Sequence, residues 1–172
     1  MNRFALSFMV AVFVLIGSGF TDAGAASTKR LPTFDLKDLE EREHSLSDEK
    51  FKDKVLLIAA FGTWQEVSIA QARELEKFHK AHPEVEIIAF VCDELSVARE
   101  FRTREGLTFP CYKADGSAPI GTSFNRLFET KKGKVLTLNR TPFVLLTDEN
   151  RSIEYANLGL TTSAALSAAL NE

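Results

Sequence analysis

The sequence is poor in the side chains that bind metals or carry out redox chemistry. It contains two cysteines, Cys92 and Cys111, which are too far apart in the chain to form a Cys-x-x-Cys pair. Its three histidines, His44, His79 and His82, do not combine with each other or with a cysteine in a spacing that is typical of a metal site. These absences predict a protein without a bound metal, and nothing in the sequence indicates a cofactor.

The sequence also has no excess of basic over acidic residues. Lys and Arg number 21 against 24 Asp and Glu, and the two signs are mixed along the chain. A protein that binds nucleic acid or anionic lipid needs a basic stripe or patch, so the sequence argues against both classes of partner. Beyond the N-terminus there is no second long apolar run, no low-complexity tract and no repeat of fixed period. Once the N-terminal segment is removed, we expect no membrane association.

The first 25 residues have the three parts of a signal peptide. A basic residue near the start is followed by an apolar run over residues 4–16 and by an Ala-Gly-Ala cleavage motif at residues 23–25. The apolar run is shorter than the ~20 residues that a spanning helix needs. The pattern predicts export to the periplasm, a flexible lead-in over residues 26–32 and one domain over residues 33–172. An exported protein can form disulfides.

The middle of the sequence alternates between continuous apolar runs and helical periodicity. The letters VLLIAAF are an apolar run of strand length, and apolar positions then recur at steps of three from Ile69 to Ala81. The pattern predicts strands over residues 55–61, 85–91 and 107–114, with helices over residues 67–82 and 96–104 between them. This order is typical of a parallel β-sheet covered by helices.

The flanking segments carry weaker signals. They predict an edge hairpin within residues 34–54, a polar and partly helical stretch over residues 123–132, and a hairpin over residues 135–158 with its turn at 148–151. The Ala-rich segment near the end predicts a last helix with Thr161 or Thr162 as its N-cap. Together with the central strands, these segments predict an α/β fold.

Several short motifs of the sequence occur in the order and spacing that are typical of a known family. The letters FGTW end the first central strand at Trp64, and the helix after it contains ELEKFHK. REGLTFPCYKADG follows the second strand-helix unit, and Thr141-Pro142 precedes FVLLTDENRSI. In these features residues 31–170 resemble the thioredoxin-like superfamily, and within it the exported TlpA/ResA-like redoxins. The resemblance implies an α/β fold with a central mixed sheet flanked by helices on both faces.

The same resemblance reveals a departure at the site. The family's two catalytic cysteines align with Gln65 and Ser68, and a proline that often follows in the helix aligns with Arg73. A thioredoxin-type site acts through a thiolate at a helix N-terminus, which neither an amide nor an unactivated hydroxyl can replace. The resemblance therefore implies a degenerate site without catalytic residues of the family type. For Gln65 and Ser68 we favour a role as caps of the helix.

Other parts of the implied site need no sulfur. The resemblance places Trp64 and Gln65 beside Thr141 and Pro142 around a groove, with the peptide bond before the proline cis. Trp64 is either an exposed platform beside this groove or a packed core residue, and the family favours a partly exposed position. A groove of this kind can hold an extended peptide or protein segment through backbone hydrogen bonds.

The two cysteines leave alternatives open. If their strands are parallel neighbours, a stagger of three residues separates Cys92 from Cys111 by about 10 Å, which exceeds the ~7 Å limit between the Cα atoms of a disulfide. This geometry disfavours an internal bridge. Cys111 is expected to be a small buried hydrophobe. Cys92 lies nearer the implied site, where it can act as a lone redox thiol or pair between molecules.

These observations support two functions of different classes. The first is an exported binding or assembly module that holds an extended partner in the groove. The second is an oxidoreductase with relocated thiols, in which Cys92 attacks and Cys111 resolves the mixed disulfide. A domain kept for stability or as a subunit, with an empty groove, is a third reading that the sequence leaves open.

Overall fold

Three α-helices and nine short strands make up the part of the chain that the structure describes. The computed structural model describes residues 27–114, 124 and 126–171, so the predicted signal peptide and part of the stretch 123–132 lie outside it. The strands are β1 (Asp35–Lys37), β2 (Glu43–Ser45), β3 (Leu56–Phe61), β4 (Glu86–Val91), β5 (Cys111–Lys113), β6 (Leu127–Glu129), β7 (Val135–Thr137), β8 (Phe143–Thr147) and β9 (Ile153–Leu158). The helices are α1 (Glu66–Ala81), α2 (Leu95–Arg104), α3 (Ser163–Leu170) and the single 3-10 turn η1 (Glu49–Phe51).

The centre of the fold is a five-stranded sheet in the order β5-β4-β3-β8-β9. β3, β4 and β5 are parallel, whereas β8 runs antiparallel to β3, and β9 antiparallel to β8. The parallel strands form where they are predicted because a strand that is covered on both faces needs a continuous apolar run. Every residue of β3 is buried. The predicted mixed sheet is confirmed.

Two apolar layers cover the sheet. On one face α1, α2 and α3 contribute Phe78, Phe101 and Leu166 to the core. On the other face the hairpin β1–β2, the turn η1 and aromatic side chains such as Phe51 and Phe124 pack against the strands. The three α-helices that the structure describes thus cover one face of the sheet, and the 3-10 turn η1 lies on the other face. Alternate residues of each strand point into the two layers.

The segment that the sequence predicts as a flexible lead-in is held on the sheet. Thr28 forms a β-bridge with Phe128, and Leu31 is buried against the second layer. The flexibility expected over residues 26–32 stays a prediction, and in the described part of this segment the backbone pairs with other segments of the chain. The segment has no apolar period, but its backbone groups pair with strands that are distant in sequence, which a local pattern does not reveal.

The stretch over residues 123–132, for which the sequence predicts partial helix, contains a strand instead. β6 pairs with β7 in a small antiparallel hairpin, and Phe124 and Phe128 are fully buried. Their rings lie 5.7 Å apart, and the ring of Phe124 stacks on that of Phe143 at 5.3 Å. The prediction is wrong here because aromatic packing against the sheet outweighs the local preference of such a short segment.

Asp38 anchors the hairpin β1–β2 at the outer edge of β5. It forms an antiparallel bridge with Tyr112 and is 7% exposed. Its Oδ1 accepts hydrogen bonds from the backbone N–H groups of Glu40 at 3.0 Å and Arg42 at 2.9 Å. Its Oδ2 accepts from Arg42 Nε at 2.8 Å and lies 3.0 Å from His44 Nε2. Burial raises the pKa of this carboxyl, but the hydrogen bonds from His44 and Arg42 outweigh it and lower the pKa to about 2.

We expect Asp38→Asn to destabilise the protein by about 1–2 kcal/mol at neutral pH, because each pKa unit corresponds to ~1.4 kcal/mol and the amide keeps part of the hydrogen bonding. Since the pKa is lowered in the folded state, this stabilisation is present above pH ~4 and is lost as the pH falls towards ~2. Urea unfolding at neutral pH and at pH ~2.5 measures the difference.

Asp35→Asn is the matched control, since Asp35 is an exposed residue of the same hairpin. We expect it to change the free energy of unfolding by less than about 0.5 kcal/mol at either pH. If Asp38→Asn were as costly at acid pH as at neutral pH, the carboxylate would not be the source of the stabilisation.

Candidate functional site

The carboxyl ends of several strands meet at one edge of the sheet. β3 and β4 are parallel, and β9 shares their direction because both it and β3 run antiparallel to β8. Trp64 and Gln65 follow β3 at this edge, and Thr141 and Pro142 come directly before β8. Ligands of open α/β sheets bind at such an edge. The structure therefore brings the predicted groove residues together.

The side chain of Gln65 connects helix α1 to the loop before β8. Its Oε1 accepts hydrogen bonds from Ser68 Oγ at 3.0 Å and from Thr141 Oγ1 at 3.3 Å. Gln65 is the N-cap residue of α1, but its side chain makes no capping bond, and its backbone oxygen accepts from Ile69 N at 2.9 Å. The predicted capping role is wrong because the polar atoms of Gln65 and Ser68 bond to each other and to the loop. Ser68 is fully buried.

Hydrogen bonds join the loops along this edge. The peptide bond between Thr141 and Pro142 is cis, and Pro142 O accepts from Gly159 N, in the loop after β9, at 2.8 Å. On the other side of β3, the hydroxyl of Thr63 donates to the carboxylate of Asp93, which follows β4. Hydrogen bonds thus connect the β3–α1 junction to the loop after β4, and the loop before β8 to the loop after β9.

Trp64 lies over the backbone of the junction and is 63% exposed. A Cβ atom placed on Gly62 would lie 3.0 Å from Cη2 and Cζ2 of the Trp64 ring and 3.1 Å from Cζ3. Contacts this short require a shift of the ring, so the absence of a side chain at Gly62 allows the indole to rest here. Of the two interpretations from sequence, the exposed platform describes Trp64 and the packed core residue does not.

Exposed apolar side chains gather at the same edge. Within the described part of the chain the large exposed ones are Trp64, Val67, Val97, Leu160 and Val135. Val67 and Val97 lie in the first turns of α1 and α2, and Leu160 follows β9, whereas Val135 lies in β7. Exposed apolar patches mark interaction sites. The sequence prediction missed the two valines and Leu160, and the signal that identifies them is their position in the first helical turn or the loop that follows a strand of the central sheet.

The family assignment rests on a match over most of the chain. A family model described as Redoxin matches residues 26–170. This chain belongs to the redoxin family. The match includes the whole central sheet and the residues of the predicted groove, and it confirms the resemblance inferred from the sequence.

Several solved structures have the same fold. One is StoA from Bacillus subtilis, with 18% identity over 83% of this chain and 99% of that chain and a TM-score of 0.59. A secreted Mycobacterium tuberculosis disulfide oxidoreductase, homologous to E. coli DsbE, has 13% identity over 80% and 94%, with a TM-score of 0.62. A thiol-disulfide oxidoreductase from Bacteroides fragilis has 15% identity over 83% and 98%, with a TM-score of 0.66. Comparison with curated proteins gives no match. At these identities the structures show that the fold is thioredoxin-like.

The two cysteines of this redoxin lie on opposite faces of the sheet. Cys111 is in register with Ala89 of β4, and Cys92, which directly follows the last residue of β4, lies three residues beyond Ala89, the stagger that the sequence predicts. Successive side chains of a strand alternate between faces, and an odd stagger therefore separates them. Cys111 belongs to the layer under the helices, whereas Cys92 packs against the layer that contains Phe90. Both are free thiols.

Neither cysteine offers a reactive thiolate. Burial, with a smaller contribution from the charge of Asp93, raises the pKa of Cys92 to about 11. Burial raises the pKa of Cys111 to about 12. Because the thiolate is the nucleophile in disulfide exchange, both side chains are unreactive at neutral pH. The structure does not bring together an attacking and a resolving thiol.

In residues 27–114, 124 and 126–171, no three side chains of the His, Cys, Asp or Glu type are arranged to hold a metal ion. None of the helices described has the length and apolar character that crossing a membrane requires.

Proposed function

We propose that this protein is an exported, non-catalytic member of the redoxin family that binds an extended segment of another polypeptide. The binding site is the groove formed by Trp64, Gln65, Thr141 and Pro142. The observation that carries the proposal is the hydrogen-bonded set of Gln65, Ser68 and Thr141 at the N-terminus of α1, the position where the family resemblance implies two catalytic cysteines.

The chemistry of these side chains supports a role without catalysis. An amide has no nucleophilic form, and the hydroxyl of Ser68 donates to the amide oxygen of Gln65 rather than to a base. Ser68 is also fully buried, so a substrate does not reach it. The separation of Cys92 and Cys111, together with their raised pKa values, gives no support to an oxidoreductase with relocated thiols.

The surface around the groove supports binding. Trp64 presents an aromatic face that can bury a large apolar area against a partner. Val67 and Leu160 extend this apolar surface along α1 and along the loop that is bonded to Pro142. An extended segment can pair with the backbone near Thr141 and place alternate side chains on this surface, a mode of recognition that needs no sulfur.

Export is part of the proposal. The first 25 residues carry the pattern of a signal peptide, and the Mycobacterium tuberculosis structure with the same fold is described as a secreted protein. A protein that acts in the periplasm meets unfolded and newly exported chains, which offer extended segments of the kind that the groove fits.

We expect Trp64→Ala to weaken peptide binding by about tenfold or more, because a central aromatic contact typically contributes ~1–3 kcal/mol to an interface. An array of unstructured peptides of about ten residues identifies a binder, and fluorescence anisotropy of its labelled form gives the dissociation constant. In the parent protein, the emission of Trp64, the single tryptophan, should change on binding.

Val135→Ala provides the matched control, since Val135 is another exposed apolar residue but lies in β7, away from the groove. Its affinity should stay within about twofold of the parent, as expected for a residue outside the interface. Equal binding by the parent and by Trp64→Ala would contradict the proposal, and so would an array in which no peptide binds.

A further inference from the structure

A cavity lies at the outer edge of β5, far along the sheet from the residues of the proposed groove. It has a volume of about 430 Å³, and its walls come from the hairpin β1–β2, the turn η1, helix α2 and residues 107–112. Three basic side chains line it, Arg42, Lys50 and Arg102, with the carboxylates of Asp38 and Glu40 as the acidic ones. Cavities of this size accommodate small molecules.

Both carboxylates that line this cavity already accept hydrogen bonds from donors of the protein. An ionised carboxylate has about four acceptor positions, and Asp38 uses them on the N–H of Glu40, on the N–H and Nε of Arg42, and on the ring of His44. Glu40 accepts from Arg102 at 2.9 Å. Asp38 therefore has no acceptor position left, and Glu40 is already paired with Arg102.

The ammonium group of Lys50, in contrast, has no hydrogen bond to a carboxylate of the described residues. Lys50 Nζ lies 3.2 Å from His44 Nδ1 and 3.4 Å from Tyr112 Oη, and neither partner is a carboxylate. The same ammonium group lies 4.6 Å from the centre of the Phe51 ring and 5.8 Å from that of Tyr112, which holds it at the cavity. A lysine has three donors, so Lys50 can still bind a charged acceptor.

Arg42 has donors to spare as well. Its Nε bonds to Asp38, but its terminal nitrogen lies 3.7 Å from Glu40, which is too long for a hydrogen bond. The guanidinium group has five donors. Among the charged residues that line the cavity, three cations face two carboxylates, and the carboxylate of Asp48 lies just outside the lining, 3.9 Å from His44 Nδ1.

We propose that this cavity binds a small oxyanion, a carboxylate or phosphoryl group of a small molecule, between Lys50 and Arg42. An oxyanion supplies acceptors for the donors that remain on Lys50 and Arg42. Charge-assisted hydrogen bonds of this type are the stronger ones in proteins, and a planar guanidinium matches the geometry of both groups. The site is independent of the groove, since the two share no residue.

Titration with inorganic phosphate and with succinate, at an ionic strength held constant with sodium chloride, tests the proposal. Two-dimensional NMR of the histidine rings gives the readout, because His44 lies between Asp38 and Lys50 and senses an ion bound there. We expect a saturable shift of the His44 signals with one or both ions. The ion that binds identifies the group that the site prefers.

Lys50→Met should weaken this binding by about tenfold or more, which is typical for the loss of a charge-assisted contact. Lys52→Met is the control, because Lys52 lies next to the same turn, does not line the cavity and pairs with Glu49 at 3.6 Å. The affinity of Lys52→Met for the ion should stay within about twofold of that of the parent protein. Arg42→Gln gives a second variant if Lys50→Met loses its folded spectrum. The proposal is overturned if neither ion gives a saturable shift, or if the variants of the cavity bind as tightly as the parent.

Discussion

Replacing Gln65 and Ser68 together by cysteine is expected to give a protein that forms a disulfide at the N-terminus of α1 and reduces insulin above background. The two positions are the N-cap and the third residue of the first turn, and their side chains face each other across that turn. Their polar atoms already meet at 3.0 Å. A thiolate at a helix N-terminus is stabilised by unpaired N–H groups and by the helix dipole, so the first cysteine should also be reactive.

Mass spectrometry after oxidation measures the bond as the loss of two hydrogens, and the turbidity of reduced insulin measures the activity. The parent protein is the first control, and it should show neither change because Cys92 and Cys111 lie on opposite faces of the sheet. Gln65→Cys alone is the second control, and it should react with a thiol reagent without forming the internal bond. A double variant that keeps two reduced thiols in oxidising buffer would mean that the β3–α1 junction is placed wrongly.

The central strand-helix units could be predicted from the sequence because their signals are local. The apolar run of β3 and the three-residue recurrence of apolar positions in α1 each arise within one element, and burial on the sheet explains both. The strand predicted over residues 55–61 is observed as Leu56–Phe61. The third central strand is shorter than predicted, since β5 covers only Cys111–Lys113.

Elements that depend on distant partners could not be predicted in this way. β6 has three residues and is stabilised by its pairing with β7 and by the bridge from Thr28. A segment of this length has no detectable period, and its apolar residues become informative only once the sheet that they cover is known. The same holds for the lead-in, whose contacts are made mainly by its backbone.

The candidate site shows the same division. The resemblance was sufficient to place Trp64 and Gln65 near Thr141, but the hydrogen bond between Gln65 and Thr141 joins residues that are 76 positions apart. The position of the Trp64 ring over Gly62 depends on side-chain packing, which a sequence motif does not specify. Val97 and Leu160 join the site because the strand order brings their loops to one edge.

Helix α1 connects the groove to the rest of the fold through a buried amide. Gln71, one turn beyond Ser68, is fully buried. Its Nε2 donates to the backbone oxygen of Thr161 at 3.1 Å, and its Oε1 accepts from the backbone N–H of the same residue at 2.7 Å. This pairing fixes the loop that carries Leu160 and leads into α3, so it supports both the apolar surface of the groove and the packing of the last helix.

Gln71→Ala is therefore expected to destabilise the protein by about 2–5 kcal/mol, because it leaves two buried backbone groups without partners at ~1–3 kcal/mol each. Urea unfolding measures the loss. Arg73→Ala is the control on the same helix: its side chain is 63% exposed and pairs with Glu105 at 2.9 Å, an interaction of less than ~1 kcal/mol.

Where Gln71→Ala loses stability in the structure is as informative as how much stability it loses. Because Gln71 holds the backbone of Thr161, hydrogen exchange in Gln71→Ala should accelerate first at Thr161 and in α3, while β3 and β4 keep most of their protection. Peptide binding should weaken in the same variant, since Leu160 is no longer held beside Pro142. Uniform acceleration across the sheet, or an unfolding midpoint equal to that of Arg73→Ala, would show that the amide does not connect the groove to α3.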